Sequence, residues 1–234
     1  MTKLYYFFGR GRAETTRWML AAIRLPFENV PIATREALVE LRAGGKLPFD
    51  QLPLLEIDGL RISQTTALVR YLARRGDLYG DSDVDALWCD MIAGVAADLV
   101  EPAITAAFQP SFDLAFKSLQ QRVDKFAPRL ERRLAENACT FIAANRLTFA
   151  DIVLGEALTA HLELVPDILD GFPLLRAFQS MVVGLPGVAA YLASPQRWPR
   201  ADEEYVISVA QVLERTLPPH MVNADRFVRL PQLP

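Results

Sequence analysis

The sequence predicts a small α/β domain followed by an all-helical domain. As far as Gly76, short apolar runs typical of strands alternate with segments of helical periodicity, and one tight-hairpin signal joins two of the runs. From about Asp83 onward the apolar residues recur at helical spacing, without a further hairpin signal. The polar stretch LYGDSD separates the two regions and is a natural place for a domain boundary.

The first domain has the predicted order β-α-β-α-β-β-α. LYYFF predicts the first strand, because it is short and rich in aromatic residues, and residues 12–23 predict the first helix. FENVPI predicts the second strand, and TREALVELRAGG predicts a helix that stops at its two glycines. Two short strands then flank Asp58 and Gly59, a dipeptide typical of tight hairpins, before a last helix over residues 64–75.

Prolines separate the helical segments of the second domain, and a Pro-rich tail follows them. We expect partial ordering of this tail, because its apolar side chains need burial; they are Met221, Phe227, Val228 and Leu230. The predicted helices span residues 83–108, 113–136, 149–165, 172–183, 187–193 and part of 202–216. The predicted domains are therefore residues 1–79 and 83–216, with 217–234 as a C-terminal extension.

Residues 148–151, with the sequence TFAD, have the pattern of an N-capping box at the start of a helix. Thr148 and Asp151 are expected to satisfy each other's backbone groups there, and Leu147 can pack against Ile152 as a hydrophobic staple. We expect this segment to serve folding and not chemistry.

Composition excludes several classes of protein. The net charge is −3 and the pI is near 5.5, so there is no overall electrostatic case for binding nucleic acid or an anionic membrane. No apolar run approaches the ~18 residues of a membrane span, and the N-terminus does not resemble a signal peptide. Cys89 and Cys139 are far apart and are expected to be free thiols in a reducing compartment. We expect a cytoplasmic protein with no metal, since His161 lacks a second ligand at metal spacing.

Three stretches could carry chemistry. In QLPLLEIDG, Pro53 begins a strand and is a candidate for a cis peptide bond, which would leave the N–H and C=O of Leu52 free to pair with an extended peptide. The alternative is an ordinary trans proline at a sheet edge. In ISQTTALVRYL, Gln64 and Thr65 begin a helix, where backbone N–H groups favour an anion. The alternative is that Ser63 is simply an N-cap.

The third stretch is the opening segment KLYYFFGRGRAETTRW. A phenol that donates a hydrogen bond to a bound thiolate lowers the pKa of the thiol, and a nearby cation lowers it further. Arg12 lies at a helix N-terminus, where a cation is unfavourable for the helix dipole, so it could serve a negative ligand. The alternative is a half-buried aromatic strand followed by solvated arginines.

Taken together, the order and spacing of several segments resemble those of cytosolic glutathione transferases over residues 3–216. The resemblance is to the tyrosine-type group of alpha, mu, pi and sigma classes, in particular the alpha class. The segments that carry it are YFFGRGRAETTRW, LRAGGKLPFDQLPLLEIDGLRISQTTALVRYLA, LYG, AADLVEP, LTFADI and FPLLRAF. It implies that the first domain is thioredoxin-like.

The resemblance also implies roles for single residues. Tyr6 would stabilise the glutathione thiolate, and Arg12 would add positive charge beside the sulfur. Glutathione would further be bound by Arg42, Gln51, Leu52, Pro53, Gln64, Thr65, Asp98 and Lys125. Two of these, Asp98 and Lys125, would reach across a homodimer interface, into which Phe49 would insert as an aromatic key. The acceptor pocket for a hydrophobic electrophile would be walled by Phe7, Phe8, Phe108, Val209 and Leu213.

Two departures from the family pattern bear on these roles. Lys125 stands where an arginine is common, which weakens bidentate recognition of a carboxylate. Phe8 replaces a small polar residue, which makes the acceptor side more apolar or narrower.

The implied reaction is conjugation of the glutathione thiolate to an apolar electrophile. Glutathione-dependent reduction of peroxides or isomerisation of a ketone would use the same thiolate, and nothing in the sequence separates them. A non-catalytic binding protein of the same fold is a third alternative. Phe8 and the long tail keep it open. The presence of the full set of family site residues argues against it; they are Tyr6, Arg12, Gln51, Pro53, Gln64, Thr65 and Asp98.

Overall fold

The computed structural model describes residues 1–137 and 140–222. The predicted fold class is confirmed, because a small mixed sheet with three helices precedes an all-helical region. Cys139 and the tail residues Phe227, Val228 and Leu230 lie outside the described residues, so the expectations placed on them stay predictions.

The sheet has four strands in the order β2-β1-β3-β4. β1 pairs in parallel with β2 and antiparallel with β3, which in turn pairs with β4 in a hairpin. Leu4 of β1 lies opposite Leu55 of β3, and both side chains are fully buried, so the centre of the sheet is also the centre of the core. The elements are β1 (Thr2–Tyr6), α1 (Glu14–Ala22), β2 (Phe27–Pro31), α2 (Arg35–Ala43), β3 (Leu54–Ile57), β4 (Leu60–Ser63) and α3 (Thr65–Arg75).

The helical region is built around α6, which is buried along almost its whole length. α6 packs against α4 and α7 and also against α1 of the first region, so it joins the two parts of the chain. The elements are α4 (Asp83–Thr105), α5 (Phe112–Glu136), α6 (Phe149–Leu164), α7 (Pro173–Val183), α8 (Pro186–Leu192), α9 (Glu203–Leu213) and the short α10 (Pro219–Val222).

The capping box at the start of α6 is confirmed. The Thr148 N–H donates to Asp151 Oδ2 at 2.7 Å, and the Ile142 N–H donates to Asp151 Oδ1 at 2.8 Å. Burial raises the pKa of Asp151, while these hydrogen bonds oppose the rise. The box therefore also ties the segment before the core helix to that helix.

β1 and α1 differ from the predicted segments in a way that matters for the site. β1 ends at Tyr6, because the chain turns at once: the Gly9 N–H donates to Phe7 O at 2.7 Å. A 3-10 turn over Gly11–Ala13 then precedes α1, which begins at Glu14 instead of Arg12. Phe7, which was expected within the strand, and Arg12, which was expected within the helix, thus belong to the connection between the two elements.

A buried polar network lies where α1 meets the helical region. Arg17 and Glu14 form a fully buried ion pair at 3.2 Å, and the Tyr191 hydroxyl of α8 donates to Glu14 at 2.9 Å. Next to this pair, the Thr15 hydroxyl donates to Glu156 of α6 at 3.1 Å. Charged side chains of this network and of its surroundings line a cavity of about 60 Å³; they are Arg10, Glu14, Glu156, Glu163, Arg197 and Arg200.

The network predicts a pH dependence of stability that comes from one carboxyl group. Burial and the neighbouring Glu14 raise the pKa of Glu156 from its ordinary value of 4.5 to about 8. The unfolded chain therefore loses this proton above pH 4.5, whereas the folded chain keeps it up to about pH 8. The contribution of Glu156 to the free energy of unfolding is therefore smallest at high pH. Relative to Glu156→Gln, the unfolding equilibrium constant of the wild type should rise about tenfold per pH unit between these values.

Urea unfolding of both proteins across this pH range measures the effect. Glu136→Gln is the matched control, because Glu136 is exposed at the end of α5. The control should follow the pH profile of the wild type. Parallel profiles for the wild type and Glu156→Gln would contradict the assignment.

Candidate functional site

The sheet topology brings most of the predicted site residues to one edge. β1 is antiparallel to β3 with Tyr5 opposite Leu54, and β3 is antiparallel to β4 with Leu54 opposite Ser63. The end of β1, the start of β3 and the end of β4 therefore meet. Tyr6, the Gln51–Pro53 segment and Gln64 lie at these three positions.

Tyr6 is held in a defined place at this edge. Its side chain is only 5% exposed, and its hydroxyl oxygen accepts a hydrogen bond from the Arg12 N–H at 3.1 Å. Gly11 makes this approach possible, since its φ is +42° and a Cβ there would lie 2.6 Å from the Tyr6 hydroxyl. The Thr65 hydroxyl donates to Arg12 O at 3.2 Å, so the start of α3 contacts the same turn.

The guanidinium of Arg12 points to the helical region. It pairs with Glu101 of α4 at 2.7 Å, and both side chains are partly exposed. This pairing supplies a partner for the cation that is unfavourably placed at the start of a helix. The predicted role of Arg12 beside a sulfur stays a prediction.

The segment before β3 and the start of α3 are joined by side chains. Gln64 Nε2 donates to Gln51 Oε1 at 2.8 Å, and the Leu52–Pro53 peptide bond is cis. Gln64 has φ 71° and ψ 109°, a conformation that costs free energy in a residue other than glycine. Such outliers concentrate where the backbone serves a ligand, which supports the choice of this edge.

Arg42, at the end of α2, has a partner that the sequence analysis overlooked. Its Nε donates to the carboxylate of Asp50, in the loop just before Gln51. The loop brings Asp50 back to the helix because its φ is 55°, in the left-handed region that aspartate tolerates better than most residues.

Three predicted residues have no described contact with Tyr6, Gln51 or Gln64 at this edge. Asp98 is half exposed, with a carboxylate oxygen 3.9 Å from Arg122 Nη1. The Lys125 ammonium lies over the ring of Phe126 at 4.5 Å, and Phe49 is 66% exposed. None of the described contacts joins these residues to the cluster around Tyr6 within one chain.

The predicted acceptor residues are placed by the sheet and by α9. Phe7 and Leu213 pack against one apolar cluster, made of Ile32, Leu38, Leu41, Leu54 and Val212. Val209 is buried on α9. Phe8 is 55% exposed and packs against Trp198, with ring centroids 5.0 Å apart.

Tyr205 lies beside the predicted site residue Tyr6, and the sequence analysis missed it. Its ring lies against Gly9, where a Cβ would come within 2.5 Å of it, and it meets Phe108 edge to face at 6.4 Å. Burial and then the neighbouring Tyr6 hydroxyl raise the pKa of Tyr205. The signal was available in ADEEYV, because Asp202 caps α9 through the Tyr205 N–H and so fixes Tyr205 in the first turn.

No group of three or more metal-binding side chains occurs among residues 1–137 and 140–222. His161 is buried in α6 with Nδ1 2.9 Å from Ala157 O, and burial lowers its pKa to about 4. It is therefore a neutral core residue at pH 7.

The geometry defines a thioredoxin-like ligand edge facing a helical domain, and comparisons with known proteins agree with it. The family model described as "Glutathione S-transferase, N-terminal domain" matches residues 2–74, and "Glutathione S-transferase, C-terminal domain" matches residues 97–195. The rat protein named glutathione S-transferase alpha-4 is 38% identical, covering 91% of this chain and 97% of its own length. Chicken glutathione S-transferase 3 is 36% identical, covering 90% of this chain and 93% of its own length.

Solved structures give the same result. The glutathione S-transferase from Ascaris lumbricoides superposes with a TM-score of 0.72 at 30% identity, covering 82% of this chain and 96% of its own. A prostaglandin synthase D from Nilaparvata lugens has a TM-score of 0.69 at 27% identity, covering 82% and 97%. The chain belongs to the glutathione S-transferase family.

The close approach at Gly11 predicts the effect of a single methyl group. In Gly11→Ala the Cβ would collide with the Tyr6 hydroxyl and the backbone would be strained at φ +42°. Tyr6 must then move. With the predicted role of Tyr6 at the glutathione thiol, such a displacement should lower kcat/KM by on the order of tenfold to a hundredfold. The rate of glutathione conjugation to chlorodinitrobenzene measures this.

Gly171→Ala is the control, because a Cβ at Gly171 has no heavy atom within 4 Å. It should keep the wild-type rate. Circular dichroism verifies that both variants fold. Wild-type turnover by a folded Gly11→Ala protein would refute the assigned constraint.

Proposed function

We propose that this chain conjugates glutathione to apolar electrophiles, with Tyr6 lowering the pKa of the glutathione thiol. The observation that carries this is the buried Tyr6 hydroxyl, fixed by the Arg12 N–H at the edge where the cis Leu52–Pro53 bond also lies. A phenol held there donates to a thiolate without having to be ordered first. The thiolate sulfur attacks the electrophilic carbon of the acceptor, and a carbon–sulfur bond forms as the leaving group departs.

The rest of glutathione extends along the same edge. Leu52 pairs through its backbone with the cysteinyl residue, as an added strand would. Gln64 and Thr65, at the start of α3, bind the γ-glutamyl carboxylate, because N–H groups and the helix dipole favour an anion there. Arg42 and Gln51 bind the glycine end.

The acceptor binds between the first region and α9. Phe7 and Leu213 share an apolar cluster at the end of α9, and Phe108 packs against Tyr205 in the first turn of that helix. Val209 adds to the wall, and the exposed Phe8 lies at the rim. Holding the acceptor beside the thiolate converts a bimolecular step into an oriented one, which accounts for part of the rate.

The active form is a homodimer. Phe49 is largely exposed, and three residues on one face of α4, namely Val84, Leu87 and Met91, are exposed as well. Exposed apolar patches of this kind mark interfaces. Asp98 lies on the same helix, where it can reach the glutathione of the partner, together with Lys125 of α5.

The same face bears on localisation. Residues Asp83–Phe108 are long and apolar enough to span a membrane by length and composition, but long core helices meet that criterion too. α4 packs against α5 and α6. A partner subunit on its exposed face then explains the apolar residues without a membrane, so we infer a cytoplasmic enzyme.

The role of Tyr6 is tested by removing one oxygen atom. In Tyr6→Phe the hydrogen bond to the thiolate is lost, so the pKa of the thiol of bound glutathione should rise by about one to two units. The pH dependence of kcat/KM for conjugation, and ultraviolet titration of the bound thiolate, both report this pKa.

Tyr5→Phe is the matched control, since the Tyr5 hydroxyl donates to Glu56 at 2.7 Å and not to the site edge. Its profile should equal that of the wild type. A Tyr6→Phe enzyme with the wild-type pH profile would remove Tyr6 from the mechanism.

The dimer is tested at Phe49. Phe49→Ser replaces the exposed aromatic key by a small polar side chain, so the sedimentation coefficient should shift from that of a dimer toward that of a monomer at low micromolar concentration. Phe8→Ser, at an aromatic residue of similar exposure that packs on Trp198, should remain a dimer. A wild type that sediments as a monomer would overturn this part of the proposal.

A further inference from the structure

The ion pair between Arg42 and Asp50 uses the cation that the proposed function assigns to the glycine end of glutathione. Arg42 Nε and Asp50 Oδ1 are in contact, and the side chains are 30% and 63% exposed. The pair is therefore open to solvent and to a ligand. Asp50 is also adjacent in sequence to Gln51, which contacts Gln64 across the site edge.

The loop backbone directs this carboxylate to Arg42. The Asp50 N–H donates to Leu47 O at 3.2 Å, and the left-handed conformation at φ 55° turns the chain back toward α2. The carboxylate is thus fixed by the turn that leads into Gln51, so a ligand at Gln51 is close to a negative charge.

We propose that Asp50 is a specificity residue that competes with the glycine carboxylate of glutathione for Arg42. This rests on the proposed placement of the glycine end at Arg42 and Gln51. When glutathione binds, its terminal carboxylate must share the guanidinium with Asp50 or displace it, and two carboxylates at one cation repel each other. A γ-glutamylcysteinyl thiol whose C-terminal end is neutral, such as an ester or amide, avoids this repulsion.

As a consequence, the wild type should distinguish less well between ionised glutathione and a thiol whose C-terminal end is neutral. Exposed ion pairs contribute modestly, so removing the competition should improve binding of ionised glutathione by about two- to fivefold. Binding of a neutral ester should not change, because the ester makes no ion pair with Arg42. The contrast between the two thiols separates this effect from a general change in the site.

The test is Asp50→Asn, assayed with glutathione and with its glycine ethyl ester. Asparagine tolerates the left-handed conformation, so the loop backbone can be kept. We expect KM for glutathione and its calorimetric Kd to fall by about two- to fivefold, with kcat unchanged and both values for the ester unchanged. In an Arg42→Gln background the gain from the same substitution should be smaller, because no guanidinium is left for the two carboxylates to compete for.

Asp58→Asn is a closely matched control. Asp58 also has a left-handed backbone, with φ 52°, and also pairs with an arginine, Arg75, but it lies in the β3–β4 hairpin turn. It should change neither thiol's KM. A fall in KM that is equal for glutathione and ester, no change for either, or a rise with glutathione would each overturn the proposal.

Calorimetry separates this inference from the proposed function. If the wild type binds neither thiol, the proposed function fails and the inference fails with it. If the wild type binds and turns over glutathione but Asp50→Asn leaves its Kd unchanged, only the role of Asp50 is wrong.

Discussion

The site depends on one buried cation. Arg17 of α1 is fully buried, and its guanidinium donates to Gly9 O and Arg10 O, each at 3.2 Å, as well as to Asn29 at 2.8 Å. Carbonyls of the turn after β1 are therefore drawn onto a fixed point in the first helix. Because that turn carries Gly11 and the Arg12 N–H, the position of the Tyr6 hydroxyl follows from the placement of Arg17.

A buried guanidinium is costly unless it is paired, and the pairing explains the contact between the two regions. Glu14 neutralises Arg17 at 3.2 Å, and the Tyr191 hydroxyl of α8 donates to the same carboxylate. The helical region thus completes the environment of a side chain that shapes the turn after β1. Glu156 lies beside this pair, and burial first and repulsion by Glu14 second raise its pKa to about 8, so it keeps its proton at pH 7. Folding of the two regions and geometry of the site are therefore coupled.

The order of elements and the fold class could be predicted from the sequence, because hydrophobic periodicity, the Asp58-Gly59 hairpin and the Thr148 capping box are local signals. The position of Arg17 could not, since a helical arginine is usually solvated, and its environment depends on the Trp198 ring and, through Glu14, on the Tyr191 hydroxyl, which are both distant in sequence. The ion pair between Asp50 and Arg42 could not be predicted for a related reason. It depends on a left-handed backbone conformation at Asp50 that no local sequence pattern indicates. Most of the predicted site residues do lie at one edge of the sheet, because the strand order makes the end of β1, the start of β3 and the end of β4 neighbours.

The contacts within one chain do not account for the predicted roles of Asp98 and Lys125 in binding glutathione. Asp98 pairs only loosely with Arg122 at 3.9 Å, and Lys125 lies over a phenylalanine ring, so neither is tied to the Tyr6 edge. Both face solvent, on helices that also expose apolar residues. If a second copy of the chain covers these helices, as proposed, each site takes its γ-glutamyl contacts from two chains and is complete only after assembly. Lysine suits such a position less well than arginine, since its ammonium is a point charge. Recognition at the γ-glutamyl end would then depend more on Gln64, Thr65 and the start of α3.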